Sequence, residues 1–417
     1  MRQYVIKALI LLFIAVVPMH AQDIVRSDSA VMAFLNEKGV TITHHNRVSL
    51  LKSGSDKFDD MFKAIRRAKH YVHLEYFNFR NDSIAGLLFT ELEKKVKEGV
   101  KVRAIFDAFG NWSNNRPLKK KHLKSIRSKG IDIVQYDPLT FPFVNHVFSR
   151  DHRKIVIIDG QTAYTGGMNV ADYYINGLPE FGEWRDMHIR IEGPAVDELQ
   201  KIFISMWEKS TDEKLEGAIY FPNKNDSLHF GKTTNNVPIA IVDRVPRKSP
   251  KLMRDTYAQS ILEADEKIEL INPYFVPTHK VRKALKKAIK KGVDVQIMIS
   301  SKSDIPLTPD VSIHVAHKLM KHGATVYLFE GGFHHSKIMM VDDYFCTIGS
   351  TNLNSRSLRY DYEVNAFIFD SHVTSELSEL FNDDKKESRI MTPEYWRKRS
   401  VWRKFVGWFG NLLTPFL

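Results

Sequence analysis

Short runs in which apolar and polar residues alternate recur along the chain, and stretches with helical spacing separate them. Residues 71–77 and 100–106 have the alternation typical of strands, with a basic helical stretch between them. The same order returns at residues 268–275 and 293–299. Helices that alternate with strands in this way build layered α/β proteins. The pattern therefore predicts an α/β fold made of two similar halves.

A polar connector separates the two halves. Residues 223–236 contain Asn, Asp, Ser, Gly and Lys, which is the composition of a linker. We therefore expect a first half at residues 40–222 and a second half at residues 237–385. Two further segments flank them, an apolar segment at residues 1–21 and a basic, aromatic tail at residues 390–417.

One motif occurs once in each half with identical internal spacing. The first copy is His152-Arg-Lys154-Ile-Val-Ile-Ile-Asp159 with Gly166-Gly-Met-Asn169, and the second is His335-Ser-Lys337-Ile-Met-Met-Val-Asp342 with Gly349-Ser-Thr-Asn352. Each matched residue lies 183 positions after its counterpart. A single His-x-Lys on a strand would carry no weight. Two copies in register indicate a duplicated unit with a shared chemical purpose.

The residue types in this motif suit chemistry at a phosphodiester. On a strand, His152 and Lys154 share one face, as do His335 and Lys337. Two such pairs facing each other would supply a nucleophilic imidazole, a second imidazole to protonate the leaving oxygen, and two cations for the phosphate oxygens. A covalent phosphohistidine would divide the displacement into two easier steps. This scheme requires no metal ion or other cofactor.

The motif resembles the signature of the phospholipase D superfamily, H-x-K-x4-D-x6-G-[G/S]-x-N. The resemblance implies two α/β halves about a pseudo-twofold axis, with the active site at their interface. The catalytic residues it implies are His152, Lys154, Asp159, His335, Lys337 and Asp342, with the two aspartates as possible structural supports. It also implies that Asn169 and Asn352 line the phosphate. A later carboxylate is expected to hold each histidine, Glu363 for His335 and Asp186 for His152, which favours His335 as the nucleophile.

Within the superfamily the chain is most similar to bacterial cardiolipin synthases. The matching stretches are residues 151–160, 184–188, 273–277 and 349–357. Such enzymes move the phosphatidyl group of one phosphatidylglycerol to the hydroxyl of another, giving cardiolipin and glycerol. The chain departs from that family in having one short apolar N-terminal segment in place of two spanning helices, and Asn354 in place of the usual Asp. Both departures bear on membrane attachment and on the acceptor.

Three functions are consistent with these residues. The first is a phosphatidyltransferase that makes cardiolipin. The second is a hydrolase of the same architecture that uses water as acceptor, either a phospholipase D or a secreted nuclease. The third is a lipid-binding surface protein with a decayed site, which the two intact motifs argue against.

Charge and the N-terminus favour a lipid substrate. The chain has 61 Lys and Arg against 49 Asp and Glu, a net charge of +12, so anionic partners are expected. Arg2 and Lys7 precede an uncharged stretch at residues 8–17, and Ala21 suits a cleavage site. This is an export signal or a short membrane anchor. Either places the protein in the periplasm or at the outer face of the membrane, where phosphatidylglycerol is near and nucleic acid is scarce.

The C-terminal tail resembles a membrane-surface helix. Basic residues come first, and apolar residues at 402, 405, 409, 412 and 416 then recur at helical spacing. Such a helix would bury its aromatic face in the headgroup layer of an anionic membrane. The alternative is a helix that docks on the protein's own core. Two histidines on a probable helix, His314 and His317, are expected to lie on a solvated basic face and not to bind metal.

Overall fold

The structure is a computed structural model, and it describes residues 26–140, 148–224 and 236–413. The expected signal or anchor at residues 1–21 lies outside these ranges. Most of the expected linker at residues 223–236 does too.

The first half alternates helices and strands, and residues 71–77 and 100–106 form strands at the predicted places. Its elements are α1 Ser27–Glu37, β1 Ile42–Leu51, α2 Gly54–Arg67, β2 Tyr71–Tyr76, α3 Ser83–Lys97, β3 Lys101–Asp107, α4 Ala108–Trp112, α5 Lys120–Ser128, β4 Asp132–Tyr136, β5 Lys154–Ile158, β6 Thr162–Gly166, α6 Tyr173–Asn176, β7 Glu183–Arg185, β8 His188–Glu192 and α7 Ala195–Ser210.

The second half repeats this order and then adds a helical tail. Its elements are β9 Val237–Arg244, α8 Leu252–Glu263, β10 Lys267–Ile271, α9 His279–Lys291, β11 Asp294–Ser300, α10 Thr308–Met320, β12 Thr325–Phe329, β13 Gly332–His334, β14 Ile338–Val341, β15 Phe345–Gly349, α11 Ser355–Arg359, β16 Glu363–Ile368, α12 Ser371–Lys386, β17 Ser388–Ile390, α13 Pro393–Lys398 and α14 Val401–Leu413.

Side-chain caps and a glycine fix where several of these helices begin and end. Ser53, Asp82 and Asp370 each accept a backbone N–H from the first turn of the helix that follows. Gly292 ends α9 in the left-handed conformation, with φ at 102°, which a residue with a Cβ atom adopts reluctantly. These local signals place the helices between the strands.

The strands of both halves form one continuous sheet. In the described residues its order is β17-β12-β11-β10-β14-β15-β16-β9-β1-β8-β6-β5-β2-β3-β4. Strand β1 joins the halves because it pairs with β8 on one edge and with β9 on the other. Each motif strand lies inside its half, with β5 antiparallel to β2 and β14 antiparallel to β10.

Side chains on alternate faces of the motif strands enter different cores. Ile155 and Ile157 lie in a core that both halves share, and α7 and α12 also contribute to it. Val156 faces the other way, into the core beneath α2 and α3. The second half has a corresponding core of its own beneath α8, α9 and α10. The expected strand alternation of the motif is therefore confirmed.

The C-terminal helices pack on α10. Gly407 is buried, and a Cβ atom there would lie 2.5 Å from the carbonyl oxygen of Asp310, so the two helices approach closely. The ring of His317 stacks on Trp396 with centroids 3.7 Å apart, and burial lowers the pKa of His317 to about 4. The expectation that His314 and His317 lie on a solvated face was wrong, because the tail covers them.

The tail helix nevertheless keeps an exposed apolar face. The exposed side chains, between 41% and 69% accessible, are Trp402, Phe405, Trp408, Phe409, Leu412 and Leu413. The two alternatives for the tail are thus compatible, since α14 docks through its glycine side only. No helix in the described ranges has the length and apolar character required to cross a membrane.

The motif aspartates Asp159 and Asp342 join the far ends of the motif strands to neighbouring turns. Asp159 accepts the backbone N–H groups of Lys69, His70 and Tyr71 at 2.7–2.9 Å. Asp342 accepts the three N–H groups of residues 265–267 at 2.8–2.9 Å. Both residues have positive φ, 53° and 51°, which Asp tolerates better than most residues.

Removal of the Asp342 carboxylate is expected to destabilise the fold. Asp342→Ala would leave three backbone N–H groups without an acceptor, so the free energy of unfolding should fall by roughly 2–4 kcal/mol. Its exposed neighbour Asp343 pairs only with Lys267 among the described ion pairs, so Asp343→Ala should cost less than about 1 kcal/mol. Urea denaturation of both variants measures this, and equal losses would contradict the supporting role.

Candidate active site

Two contacts between backbone strands bring the motifs of the two halves together. Strand β7 of the first half pairs in parallel with β13 of the second. A second parallel contact joins Asp151 to Tyr362. The residues that follow these contacts are therefore neighbours across the interface between the halves.

His335 is held by a carboxylate of the first half. Its Nδ1 lies 2.7 Å from Asp186 Oδ2, and both side chains are buried. Asp186 Oδ1 accepts the backbone N–H of Met187 at 2.8 Å, which fixes the orientation of the carboxylate. With Nδ1 engaged by the carboxylate, Nε2 of His335 faces the substrate side, and Lys337 Nζ lies 3.1 Å from it.

His152 is held in the same way by a carboxylate of the second half. Its Nδ1 lies 3.0 and 3.2 Å from the two oxygens of Glu363, whose side chain is fully buried. The hydroxyl of Ser350, beside the second motif, donates to Glu363 as well. Ser350 thus orients a carboxylate that serves the histidine of the other half.

The expected assignment of carboxylates to histidines was wrong, because the two pairs cross. Glu363 was expected to support His335, and Asp186 to support His152. Asp186 follows strand β7, and Glu363 follows the single bridge residue Tyr362; both β7 and Tyr362 pair with the opposite half, so each carboxylate reaches the histidine of that half. The basis for favouring His335 as the nucleophile is lost with this assignment.

The two motif lysines occupy equivalent buried positions. Lys154 Nζ donates to the carbonyl oxygen of His152, and Lys337 Nζ donates to that of His335, both at 2.5 Å. The pKa of Lys154 is lowered to about 7. Burial is the largest cause, the charge of Glu363 opposes it, and the charge of Lys337 adds to it. Burial lowers the pKa of Lys337 to about 8 against the pull of Asp186 and Glu363. A bound anion would favour the charged form of both.

The surroundings lower the pKa of both histidines. Burial, followed by the charges of Lys154 and Lys337, lowers the pKa of His152 well below its ordinary value. Burial and Lys337 also lower the pKa of His335, while Asp186 opposes them. The influence of Lys337 on His152 means that the half-sites lie within electrostatic reach of each other.

The motif asparagines are buried beside the site, and the motif aspartates are not part of it. Asn169 and Asn352 are 5% and 6% exposed, and in the described part of the chain their Oδ1 atoms have no hydrogen-bond partner. Asp159 lies seven residues along an extended segment from His152, roughly 20 Å away. Asp342 has the equivalent position relative to His335. The structure thus favours the reading of these aspartates as supports.

Aromatic side chains that the sequence reading assigned no role surround one histidine. Trp184, Tyr274 and Phe333 have ring centroids 5.4–5.9 Å from that of His335. In the part of the chain that the structure describes, the ring of Phe77 lies 5.0 Å from that of His152. Trp184 and Phe333 each stand two positions before a site residue on a strand, so strand alternation could have revealed them. Within the described residues, more aromatic rings therefore surround His335 than His152.

A comparison with protein families and solved structures decides the family. The family model described as "Cardiolipin synthase, PLD-like domain" matches residues 61–207 and 257–385. The chain belongs to this family. Among its relatives is a cardiolipin synthase 2 of Staphylococcus epidermidis, 35% identical over 95% of this chain and 79% of that protein. A cardiolipin synthase of Listeria monocytogenes is 33% identical over 96% of this chain and 81% of that protein.

Solved structures support the phospholipase D-like fold of this family member. The phosphatidylserine synthase of Haemophilus influenzae is similar over 94% of this chain and 100% of that chain, with a TM-score of 0.70 and 13% identity. The polyphosphate kinase of Porphyromonas gingivalis is similar over 84% of this chain and 49% of that chain, with a TM-score of 0.55 and 12% identity. The expected fold of two phospholipase D-like α/β halves is confirmed.

Substitution of one carboxylate should change the titration of the histidine in the opposite half. In Asp186→Asn the pKa of His335 is expected to fall, because the lost negative charge no longer opposes Lys337, while His152 titrates as before. In Glu363→Gln the pattern should reverse. Titration of histidine ring carbons by NMR measures both, and a shift of His152 in Asp186→Asn with His335 unchanged would contradict the crossed pairing.

Proposed function

We propose that the protein is a cardiolipin synthase that transfers the phosphatidyl group of one phosphatidylglycerol to the terminal hydroxyl of a second, releasing glycerol. The observation that carries this is the pair of crossed histidine–carboxylate contacts with a lysine beside each histidine. The relatives named above, matched over nearly the whole chain, favour transfer to a lipid alcohol over transfer to water.

In the first step one imidazole attacks phosphorus and the other acts as the acid. A P–N bond forms at Nε2 of the nucleophile, and the P–O bond to glycerol breaks. The departing oxygen takes a proton from Nε2 of the other histidine. Lys154 and Lys337 stabilise the non-bridging oxygens as negative charge builds on them.

In the second step the roles of acid and base reverse. The second phosphatidylglycerol gives the proton of its hydroxyl to the histidine that acted as acid. Its oxygen then attacks phosphorus, the P–N bond breaks, and cardiolipin leaves. One phosphodiester replaces another, so the reaction needs no nucleotide.

The carboxylates favour His152 as the nucleophile and His335 as the acid. Burial opposes ionisation of Asp186, but Lys337 and His335 together bring its pKa below the ordinary value. Burial raises the pKa of Glu363 to about 7, so this group carries less negative charge near neutral pH. The proton is therefore better stabilised on His335 than on His152, and the free base is His152.

The decisive assay incubates purified protein with phosphatidylglycerol vesicles and resolves the lipids. We expect cardiolipin and glycerol from the unmodified protein, and a loss of at least 1,000-fold in His152→Ala and in His335→Ala. A phosphatidyl adduct should accumulate on His152 in the His335→Ala variant.

Other outcomes would redirect the proposal. Phosphatidic acid without cardiolipin would identify a hydrolase. DNA cleavage without lipid turnover would identify a nuclease. An adduct on His335 would overturn the assignment of the nucleophile.

The activity should decrease as the pH rises above neutral, at a lower pH than an ordinary lysine would give. The lysines bind phosphate only when protonated, and their pKa values of about 7 and 8 are lowered by burial. They therefore lose charge as the pH rises through that range, and kcat/KM, which reports the free enzyme, should fall with it. Lys154→Arg should move the start of this fall to higher pH, because Lys154 has the lower pKa of the two and a guanidinium stays charged. A constant kcat/KM up to pH 10 would contradict this.

We also propose that the exposed face of α14 binds the membrane surface. Its aromatic residues face away from α10, and Arg397, Lys398, Arg403 and Lys404 add cations, each worth about 1 kcal/mol near an anionic surface. Ile305 and Leu307, on the loop that leads into α10, are also 50% and 62% exposed. The adjacent Asp304 accepts the hydroxyl of Tyr274 at the wall of the site, so this apolar surface extends toward His335. Export to the outer face of the membrane stays a prediction.

Charged substitutions on this face should weaken membrane binding. Phe405→Asp with Phe409→Asp is expected to lower partitioning onto phosphatidylglycerol vesicles by at least tenfold, because each ring contributes about 1.5–3 kcal/mol of apolar burial. The control is Leu87→Asp, an exposed apolar residue on α3 of the other half. Vesicle co-sedimentation measures both, and equal binding of the two variants would remove α14 as the attachment site.

A further inference from the structure

The contact between Asp186 and His335 depends on two very short strands. β7 and β13 pair over three residues each, and the backbone N–H of His335 continues the pairing by donating to Arg185 O at 2.6 Å. Asp186 and His335 are the next residues of the two strands. A slip of one residue would turn their side chains to opposite faces. Pairs of strands this short are weak by themselves, so their register needs support from elsewhere.

One buried carboxylate contacts both members of the last residue pair. Asp384 lies in the final turn of α12 and is 2% exposed. Its Oδ2 lies 2.8 Å from His334 Nε2, and its Oδ1 lies 2.7 Å from Arg185 Nη2. His334 and Arg185 are register partners in β13 and β7. Asp384 thus ties the two strands, one from each half, to the same helix.

The helix that carries Asp384 is itself well anchored. Val373, Leu377 and Phe381 of α12 are buried in the core that both halves share. A rigid support of this kind can hold a side chain to within a fraction of an ångström. Loss of the carboxylate would remove its ion pair with Arg185 and the hydrogen-bond partner of the buried His334 ring, which favours separation of the strands.

We propose that Asp384 is a positioning residue for His335: it fixes the register of β7 and β13 and so holds Asp186 against the His335 ring. The proposal relies on the proposed function only for the participation of His335 in the reaction.

The other histidine is supported by a different ion-pair network. The Asp151–Tyr362 contact lies beside Arg150, whose guanidinium contacts Asp107 at 3.0 Å and Asp137 at 2.6 Å. These residues belong to the first half and are remote in sequence from α12. A change at Asp384 should therefore affect His335 and spare His152.

Four charged or titratable groups from different elements act on His335. Asp186 after β7 and Asp304 after β11 raise its pKa, whereas Lys337 on its own strand lowers it. His152 faces it from the other half. Of the carboxylates that the structure describes, Asp186 is the one hydrogen-bonded to the ring. If that contact loosens, the influence of Lys337 grows, and the pKa of His335 must fall.

The test compares Asp384→Asn with Asp383→Asn by NMR titration of the histidine ring carbons, without lipid. Asp383 is the exposed neighbour of Asp384 and pairs with Lys386. We expect the pKa of His335 to fall in Asp384→Asn and to be unchanged in Asp383→Asn, with His152 unchanged in both. Because no substrate is present, this result is independent of whether the protein makes cardiolipin.

Kinetics supply the second readout. A displaced His335 should lower kcat of Asp384→Asn by about 10- to 100-fold with KM within about twofold, since misplacement by an ångström has effects of that size. Should Asp384→Asn not fold, His334→Phe removes only one of the two contacts and should shift His335 in the same direction by less. An unchanged His335 titration in a folded Asp384 variant, whatever its thermal stability, would overturn the proposal.

Discussion

The structure depends on a hydrogen bond made twice across the interface between the halves, from the Nδ1 of a histidine in one half to a carboxylate in the other. A buried carboxylate without a partner would be costly, and so would a buried lysine beside it. Asp186 and Glu363 therefore stabilise the half to which they do not belong. Neither half contains a complete site. The contacts that pack the halves together are also the contacts that complete the active site.

The same burial makes the site a receptor for an anion. Two lysines and two histidines with little exposure lie within electrostatic reach of one another, and each lysine lowers the pKa of neighbouring groups. A phosphodiester would relieve this repulsion and return the lysines to their charged forms. Recognition of the phosphate thus needs little reorganisation of the protein. The aromatic side chains around His335 add an apolar wall that suits the lipid portion of a phosphatidyl substrate.

Sequence reasoning identified the features that local pattern encodes. The two copies of the motif and their strands follow from spacing within short segments. The partners of His152 and His335 could not be found in this way, because they depend on which strands meet between the halves. The burial of His317 is a similar case, since it follows from where the tail docks. Trp184 and Phe333 are an intermediate case. Strand alternation places them on the same faces as Asp186 and His335, but it does not tell which residues pack against those faces.

Strand β1 has a consequence for how substrates are exchanged. It is hydrogen-bonded along one edge to β8 and along the other to β9, so the two halves are parts of a single sheet. Rotation of one half away from the other would require breaking backbone hydrogen bonds in the middle of that sheet. Glycerol is therefore expected to leave, and the second lipid to enter, without rotation of one half against the other.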